Sequence, residues 1–196
     1  MKALPASFPP TLPLHTFTEA AFFRICKTLY SSSEPGFRAA GTYRFDSPDQ
    51  SFGTLYCARN FKTCFFETIV RDRPDLKIPA ADYNNRSAVQ LLLDTLKLRL
   101  VAIHGDGAQT LRLNLAELAG GDYTYPQALA KAIHDHVSEP HGLVYRSRFD
   151  DDALAMVLFE RAKPHVRIFP GSTPVALLNA NELGDAIRNT VPFILI

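Results

Sequence analysis

Five side chains able to do chemistry stand within apolar segments of this sequence: Arg24, Arg44, Tyr56, Glu67 and Ser147. Charged groups in such surroundings are seldom buried unless they are paired. One interpretation is therefore structural, with one or two salt bridges such as Arg44 with Glu67. The other interpretation is a functional site built from these five residues. The pattern of residues alone leaves both interpretations open.

The residue types suit a ligand that contains phosphate and ribose. Arginine stays charged and its planar fork donates paired hydrogen bonds to a phosphate, while a tyrosine ring can stack on a flat heterocycle. A carboxylate beside a ribose can stabilise an oxocarbenium-like transition state, as carboxylates do in glycoside cleavage. A serine hydroxyl can orient an amide or a ribose. These groups fit cleavage of the bond between nicotinamide and ribose in NAD⁺, which needs no metal and no prosthetic group.

Other classes of chemistry lack their motifs in this sequence. It contains no GxGxxG fingerprint, no Walker A loop, no GxSxG elbow and no HExxH motif. His134 and His136 stand two apart on a predicted helix, so they point to different faces. His104, His141 and His165 are isolated along the chain. We therefore expect no metal site.

The five residues must be positioned by short strands and short helices that alternate. Asn60 is a predicted N-cap, and apolar residues recur at helical spacing over 61–69, with Glu67 near the edge of that face. Residues 16–29 fit either a strand or a helix end. The pattern predicts further strands at 43–45, 52–58, 98–103, 110–115, 143–147, 153–159, 166–169 and 193–196, and further helices at 89–96, around Pro126, and at 181–188. We expect an α+β (mixed α/β) fold.

Length and composition favour one globular domain. The chain has 196 residues, of which 46% are hydrophobic and 21% charged. We divide it into a proline-rich, extended N-terminal arm over 1–15 and a domain over 16–196. The formal charge of +1 predicts no direct binding of nucleic acid or of an anionic membrane. No apolar run is long enough for a membrane-spanning helix.

The cysteines and the first residues indicate a cytoplasmic protein. Cys26, Cys57 and Cys64 match neither a zinc site nor a redox pair, so we expect buried free thiols in a reducing compartment. Prolines interrupt the first 15 residues, which therefore do not read as a secretory signal.

Five motifs, in this order, resemble the RES domain family, which is named for an Arg, a Glu and a Ser. They are Phe23-Arg24-Ile25, Tyr43-Arg44-Phe45-Asp46-Ser47-Pro48, Phe52-Gly53-Thr54-Leu55-Tyr56, Cys64-Phe65-Phe66-Glu67-Thr68 and Gly142-Leu143-Val144-Tyr145-Arg146-Ser147-Arg148. Each motif is weak alone, whereas the ordered set is fairly specific and spans about residues 16–163. One departure is at 41–45, where many members have a Gly-Gly-Arg-Trp-like segment and this sequence has no Trp.

The resemblance implies a compact single domain similar to the fold of ADP-ribosyltransferase toxins, with short twisted sheets, flanking helices and a cleft that takes NAD⁺ as substrate. It implies that Arg24 and Arg44 hold the pyrophosphate and that Tyr56 packs against the nicotinamide end. Glu67 would face the nicotinamide ribose, and Ser147 would complete the pocket. The segment between Glu67 and Ser147 is long, and it would carry an extra helix at 89–96 that alters access to the cleft or the choice of acceptor.

The resemblance also implies a biological setting. RES proteins are usually toxins of bacterial toxin–antitoxin pairs, partnered by a Xre-type DNA-binding antitoxin that would cover the cleft. The arm and the tail after residue 163 are candidates for antitoxin binding or for self-association into a homo-oligomer. We expect NAD⁺ cleavage by hydrolysis or phosphorolysis. The alternatives are a protein ADP-ribosyltransferase using the same cleft, and a non-catalytic binding module.

Overall fold

The computed structural model describes residues 4–71, 73, 75–150, 152–180 and 193–196 of the chain. Its strands are β1 (Leu14–His15), β2 (Ala21–Lys27), β3 (Thr54–Ala58), β4 (Lys77–Ile78), β5 (Arg86–Leu93), β6 (Leu100–Ala102), β7 (Gly142–Arg146), β8 (Leu154–Phe159), β9 (Val166–Ile168), β10 (Val175–Ala176) and β11 (Ile194–Leu195). Its α-helices are α1 (Phe61–Phe65), α2 (Ala80–Asn84), α3 (Gly105–Thr110), α4 (Leu115–Ala119) and α5 (Thr124–His134). A π-helical turn over Phe66–Val70 directly continues α1, and 3-10 segments cover Thr28–Ser33, Glu160–His165 and Leu177–Asn179.

Nine of the described strands form one mixed sheet. Its order is β1-β6-β7-β8-β3-β2-β5-β10, with β9 also paired to β5. β6 and β7 run parallel, and the other neighbouring strands run antiparallel. β4 and β11 form a separate parallel pair. With the helices packed around this sheet, the predicted mixed α/β class is confirmed.

Apolar side chains cover both faces of the main sheet because successive residues of a strand point to opposite sides. On β8, Val157 and Phe159 belong to one buried cluster that includes residues of α1 and α5. Met156 and Leu158, from the same strand, belong to a second cluster on the other face. Burial on both faces fixes the strand register, so the sheet can hold side chains at defined positions.

Most of the predicted elements near the candidate residues are confirmed. Asn60 Oδ1 accepts a hydrogen bond of 2.8 Å from Thr63 N and caps α1, as the sequence predicted. The predicted strands at 52–58, 98–103, 143–147, 153–159, 166–169 and 193–196 contain β3, β6, β7, β8, β9 and β11. Residues 16–29 contain β2, and the helix around Pro126 is α5.

Three predicted elements are wrong. The helix expected at 89–96, and with it the extra helix over the cleft, is strand β5. The strand expected at 110–115 is the end of α3 and the start of α4. Residues 43–45, expected as a short strand, form a turn that carries Arg44. The helix expected at 181–188 lies outside the described residues.

The proline-rich segment packs on the domain along the part that the structure describes. Strand β1 pairs with β6, and the Pro13 carbonyl accepts a 2.8 Å hydrogen bond from Ala102 N. Leu12 is buried in the core. Within the described ranges, no helix has the length and apolar character needed to cross a membrane.

Replacing Gly142 by Ala is expected to destabilise the domain by about 3 kcal/mol, the cost of overpacking a core. A Cβ atom at Gly142 would lie 2.2 Å from the carbonyl oxygen of Val157 on β8, and neither backbone can move freely in the middle of the sheet. Gly121→Ala is the matched control, because a Cβ there meets nothing within 4 Å. Urea unfolding measures both variants, and equal stability would contradict the packing described.

Candidate active site

A cavity of about 320 Å³ opens between β2 and β3, near the middle of the sheet. The two strands are in register at Phe23 and Ala58, and beyond that point residues of both strands line the cavity. Arg24 Nη1 crosses the gap and donates a 3.0 Å hydrogen bond to the carbonyl oxygen of Tyr56. The guanidinium thus satisfies a backbone acceptor that a paired strand would otherwise satisfy.

Arg24 is held by a carboxylate that the sequence analysis did not single out. Glu34 Oε2 lies 3.1 Å from Arg24 Nε, and the Glu34 side chain is 0% exposed. The same oxygen accepts a 2.7 Å hydrogen bond from Gly36 N, which anchors the loop that follows β2. Glu34 stands between a serine run and a proline in the sequence, so its composition signalled only a loop.

Arg44 lies buried against two aromatic rings that also contact each other, with centroids 4.7 Å apart. Its guanidinium carbon is 4.8 Å from the Phe45 ring centroid and 4.5 Å from that of Tyr145, and the residue is 6% exposed. Among the described residues, its Nη2 atom has no hydrogen-bond partner and it forms no ion pair with Glu67, so that suggested salt bridge is wrong. Arg44 lines the cavity, and a buried guanidinium without a carboxylate partner among the described residues suits an anionic ligand.

Asp46 stabilises the turn that carries Arg44 and connects this turn to Tyr56. Its Oδ2 accepts hydrogen bonds of 2.9 Å from Thr42 N and from Tyr43 N. Its Oδ1 accepts 2.7 Å and 3.0 Å bonds from Thr54 Oγ1 and Tyr56 Oη. The residue is 1% exposed. In the sequence, Asp46 carries no signal of this role beyond its place in the Tyr-Arg-Phe-Asp-Ser-Pro motif.

Tyr56 presents its ring to the cavity while its hydroxyl is engaged. The hydroxyl donates to Asp46 and accepts a 2.9 Å hydrogen bond from Phe45 N. Burial, followed by the Asp46 charge, raises the pKa of Tyr56 well above its ordinary value, so the hydroxyl stays protonated. The predicted role of Tyr56 in packing against nicotinamide therefore falls to its ring and not to its hydroxyl.

Glu67 reaches the cavity from the π-helical turn that follows α1, and π turns are frequent at functional sites. Its Oε1 accepts a 2.6 Å hydrogen bond from Ser147 Oγ and a 3.3 Å bond from Arg148 N. Among the described residues, every hydrogen bond to this carboxylate ends on Oε1. The Oε2 atom is therefore left for a ligand.

Ser147 lies behind Glu67 and does not line the cavity. It is buried, and its Oγ also accepts bonds of 3.1 Å from Phe149 N and Asp150 N. It thus locks the loop after β7 and aims the carboxylate. The structure brings Arg24, Arg44, Tyr56 and Glu67 to one cavity with Ser147 in contact with Glu67, and their catalytic roles stay predictions.

For the NAD⁺ cleavage that the sequence predicts, replacing Ser147 by Ala is expected to lower kcat by about 10- to 100-fold, because a hydrogen bond to a charged group contributes about 1.5–3 kcal/mol. KM should change much less, since Ser147 does not reach the cavity. Ser138→Ala is the control, because among the described residues the Ser138 hydroxyl bonds only His136, which does not line the cavity. A Ser147→Ala enzyme with normal kcat would show that the hydroxyl does not orient Glu67.

The three thiols are confirmed as free and buried. Burial raises the pKa of Cys26 to about 11 and that of Cys57 to about 12, and it raises that of Cys64 well above its ordinary value. All three are therefore protonated at pH 8, and none is an activated nucleophile. A thiol reagent at pH 8 should label none in the native protein and all three in denaturant. Rapid labelling of one native thiol would contradict this.

The cavity concentrates positive charge that the whole chain does not have. Of the described residues that line it, seven are cationic and two are anionic. The cations are Arg24, Lys27, Arg38, Arg44, Arg71, Arg86 and Arg148, and the anions are Asp46 and Glu67. Clefts lined by one sign of charge focus the field and attract the opposite charge. Only Arg24 and Arg44 of these cations were predicted as site residues; Arg148 ends a family motif, and the other four occur singly in segments without a recognisable pattern.

Tyr145 and Arg148 complete the wall around Glu67 and were also missed as site residues. Burial, followed by the Glu67 charge, raises the pKa of Tyr145, so it remains a neutral donor. Arg148 Nη1 donates a 2.7 Å hydrogen bond to the carbonyl oxygen of Gly120, and its guanidinium carbon lies 5.7 Å from the Tyr123 ring centroid. Both residues flank Ser147 closely in sequence, which was the available signal.

Three histidines that look isolated in the sequence are paired in the fold. His104 Nε2 lies 3.2 Å from His15 Nδ1, and the rings of His141 and His165 lie 5.4 Å apart. None of these lines the cavity. In the part of the chain that the structure describes, no cluster of three or more potential metal ligands occurs.

Comparison with known proteins agrees with this geometry. The family model described as RES domain matches residues 21–177, which include all five candidate residues. The chain belongs to the RES family. The strands and turns that build the cavity all lie within the matched region.

A solved structure supports the fold of this RES protein. It resembles a chain of the crystal structure of the M. tuberculosis MbcT–MbcA toxin–antitoxin complex, with a TM-score of 0.62 and 14% sequence identity. The match covers 84% of this chain and 88% of the other. No curated protein matches the sequence. At this identity the likeness concerns the fold alone.

Proposed function

We propose that this RES protein is an enzyme that cleaves the nicotinamide–ribose bond of NAD⁺, and that it is the toxin of a toxin–antitoxin pair. One observation carries the proposal. A single cavity is lined by Glu67, whose Oε1 atom alone accepts hydrogen bonds from the described residues, and by Arg44, which has no carboxylate partner among them, within a wall where cations outnumber anions. A dinucleotide needs both groups, one at its ribose and one at its pyrophosphate.

The cations suit the pyrophosphate. Arg44 is buried and its guanidinium packs against two aromatic rings, so little side-chain entropy is lost when it binds a phosphate. Arg24 is oriented by Glu34 and by the Tyr56 carbonyl, which makes it a second fixed donor on the same wall. The Tyr56 ring, held at its hydroxyl by Asp46, offers a flat apolar surface to nicotinamide.

Glu67 suits the bond that breaks. As the C1′–N bond opens, its electron pair moves to the nicotinamide ring, which leaves neutral, and positive charge develops on the ribose. The Glu67 carboxylate, aimed by Ser147, would stabilise that charge. Water or phosphate then forms the new bond to C1′, and water loses its proton to solvent. No acid is needed, because the leaving group is already cationic in NAD⁺.

The partner would be an antitoxin. Family membership and the fold shared with a chain of a toxin–antitoxin complex support this part of the proposal. We expect a Xre-type DNA-binding protein that covers the mouth of the cavity, which exposes Tyr43 and Thr42. Addition of the purified antitoxin should then stop NAD⁺ turnover at a one-to-one ratio.

The products of NAD⁺ test the proposal and separate its forms. Purified protein is incubated with NAD⁺, with and without inorganic phosphate, and the products are resolved by chromatography. Nicotinamide with ADP-ribose indicates hydrolysis, and nicotinamide with a phosphorylated ADP-ribose that requires phosphate indicates phosphorolysis. In a cell lysate with labelled NAD⁺, a discrete labelled protein would indicate transfer to protein instead. Folded protein that leaves NAD⁺ intact in every arm would refute the proposal.

A further inference from the structure

The cavity has two ends. One end lies where β2 and β3 meet at Phe23 and Ala58, and there Cys64 Sγ donates a 2.8 Å hydrogen bond to the Phe23 carbonyl. Glu67 follows Cys64 by one helical turn. The other end lies four residues further along β2, at Lys27, or ~13 Å at the rise of a strand. Chemistry at Glu67 and contacts at Lys27 therefore involve different parts of a bound molecule.

Three cations gather at the end that is distant from Glu67. Lys27 and Arg86 face each other across β2 and β5 as directly paired residues. Arg38 is bridged to Thr54 at the start of β3, and its guanidinium carbon stacks 3.7 Å from the Tyr30 ring centroid. All of these residues line the cavity.

These three charges are not neutralised. Among the described residues, none of Lys27, Arg38 and Arg86 forms an ion pair, and the buried Nε atom of Arg86 has no hydrogen-bond partner. Like charges that face each other across neighbouring strands destabilise a sheet. The backbone hydrogen bond from Thr28 N to Asn85 O, 2.7 Å long, holds the two strands together at this point.

We propose that this end of the cavity is a phosphate-monoester subsite, and that the preferred substrate carries a phosphate on its adenosine ribose, as NADP⁺ does. The inference rests on the proposed function for the rest of the dinucleotide. A monoester phosphate brings up to two negative charges, which match a cluster of three cations, and arginine binds it in a fork. The pyrophosphate is already served by Arg24 and Arg44, nearer to Glu67.

Free phosphate is the other source of the same chemistry. A phosphate that attacks the ribose in phosphorolysis must lie beside Glu67, so it cannot be the anion held at Lys27, which lies ~13 Å along β2 from Phe23 at the other end. The subsite therefore belongs to the substrate and not to the nucleophile. This gives a test that does not depend on turnover.

The experiment compares binding of ADP-ribose and 2′-phospho-ADP-ribose by calorimetry, with inorganic phosphate added in a third arm. We expect the phosphorylated ligand to bind at least about tenfold more tightly, as hydrogen bonds to charged groups allow. In the double variant Lys27→Gln/Arg86→Gln, this preference should fall below about threefold. The control Lys163→Gln/Arg167→Gln removes two exposed cations outside the cavity and should keep the preference. Thermal melting checks that both variants fold.

Equal affinity for the two ligands would overturn the subsite. The subsite would also be refuted if added inorganic phosphate tightens ADP-ribose binding while the 2′-phosphate does not increase affinity, because the cations would then bind free phosphate. Turnover is measured separately with NAD⁺ and NADP⁺. Cleavage of NAD⁺ without a preference for the phosphorylated ligand would support the proposed function and refute the subsite. A preference for the phosphorylated ligand without cleavage of either dinucleotide would support the subsite and refute the proposed function.

Discussion

Glu67→Gln is expected to lower the rate of nicotinamide release by about 10³-fold, a loss typical of removing a group that stabilises transition-state charge. The amide has nearly the same shape as the carboxylate, and its oxygen can still accept the hydrogen bonds from Ser147 Oγ and Arg148 N. The substitution removes the negative charge that would face the ribose. The affinity for NAD⁺ should change little, because the residues proposed to hold the pyrophosphate are Arg24 and Arg44.

The control for Glu67 is Glu139→Gln, which removes an exposed carboxylate that does not line the cavity. Nicotinamide release is followed over time for both variants, and melting temperatures confirm that each is folded. A Glu67→Gln protein that releases nicotinamide at the wild-type rate would remove Glu67 from the mechanism. A loss of equal size in Glu139→Gln would mean that the assay does not report on the cavity.

Asp46→Ala is expected to lower the free energy of unfolding by about 3–5 kcal/mol, because it leaves buried donors unsatisfied. Four donors depend on this carboxylate: Thr42 N, Tyr43 N, Thr54 Oγ1 and Tyr56 Oη. The turn that holds Arg44 against the Phe45 and Tyr145 rings would loosen, so NAD⁺ affinity should fall as well. Urea unfolding and the KM for NAD⁺ measure the two effects.

Graded variants separate the hydrogen bonds of Asp46 from its charge. Asp46→Asn keeps one acceptor oxygen, and Tyr56→Phe removes a single hydroxyl, so each should cost less stability than Asp46→Ala. The usual cost of one unsatisfied buried donor is at least about 1 kcal/mol. If the free energy of unfolding of Asp46→Ala differs from that of the wild type by less than this, the turn is held by other contacts. The Arg44 position would then need another explanation.

Local signals predicted the elements around Glu67 well. Asn60 is a capping residue followed by apolar residues at helical spacing, and both signals act within one turn of chain. Strand β5 was predicted as a helix because it is buried on both faces, which removes the alternation that marks a strand. Its length and its neighbours β2 and β10 decide its structure, and neither is visible locally.

The prediction for residues 105–115 was wrong for a different reason. Gly105 and Gly107 signalled a turn, yet α3 begins at Gly105. A Cβ at Gly107 would lie 2.2 Å from the Ala102 carbonyl oxygen, so this glycine permits the helix to pack directly on β6. Close packing of a helix on the strand before it has no sequence signature of its own.

The candidate site was predictable as a set of residue types but not as a geometry. Arg24, Arg44, Tyr56, Glu67 and Ser147 stood out because they interrupt apolar segments. Their partners did not: Glu34 looked like part of a loop, and Asp46 looked like part of a turn. Lys27, Arg38 and Arg86 are ordinary cations in the sequence, and only the separation of β2 from β3 brings them to one cavity.

The most direct measurement of the central claim is the number of nicotinamide molecules that one molecule of this protein releases from NAD⁺. Purified protein is mixed with a large excess of NAD⁺, in the presence of phosphate, and nicotinamide is quantified over time. The account predicts many turnovers per protein molecule, with competition by ADP-ribose, which would occupy the same cavity. Folded protein that binds no ADP-ribose and releases no nicotinamide would contradict the account.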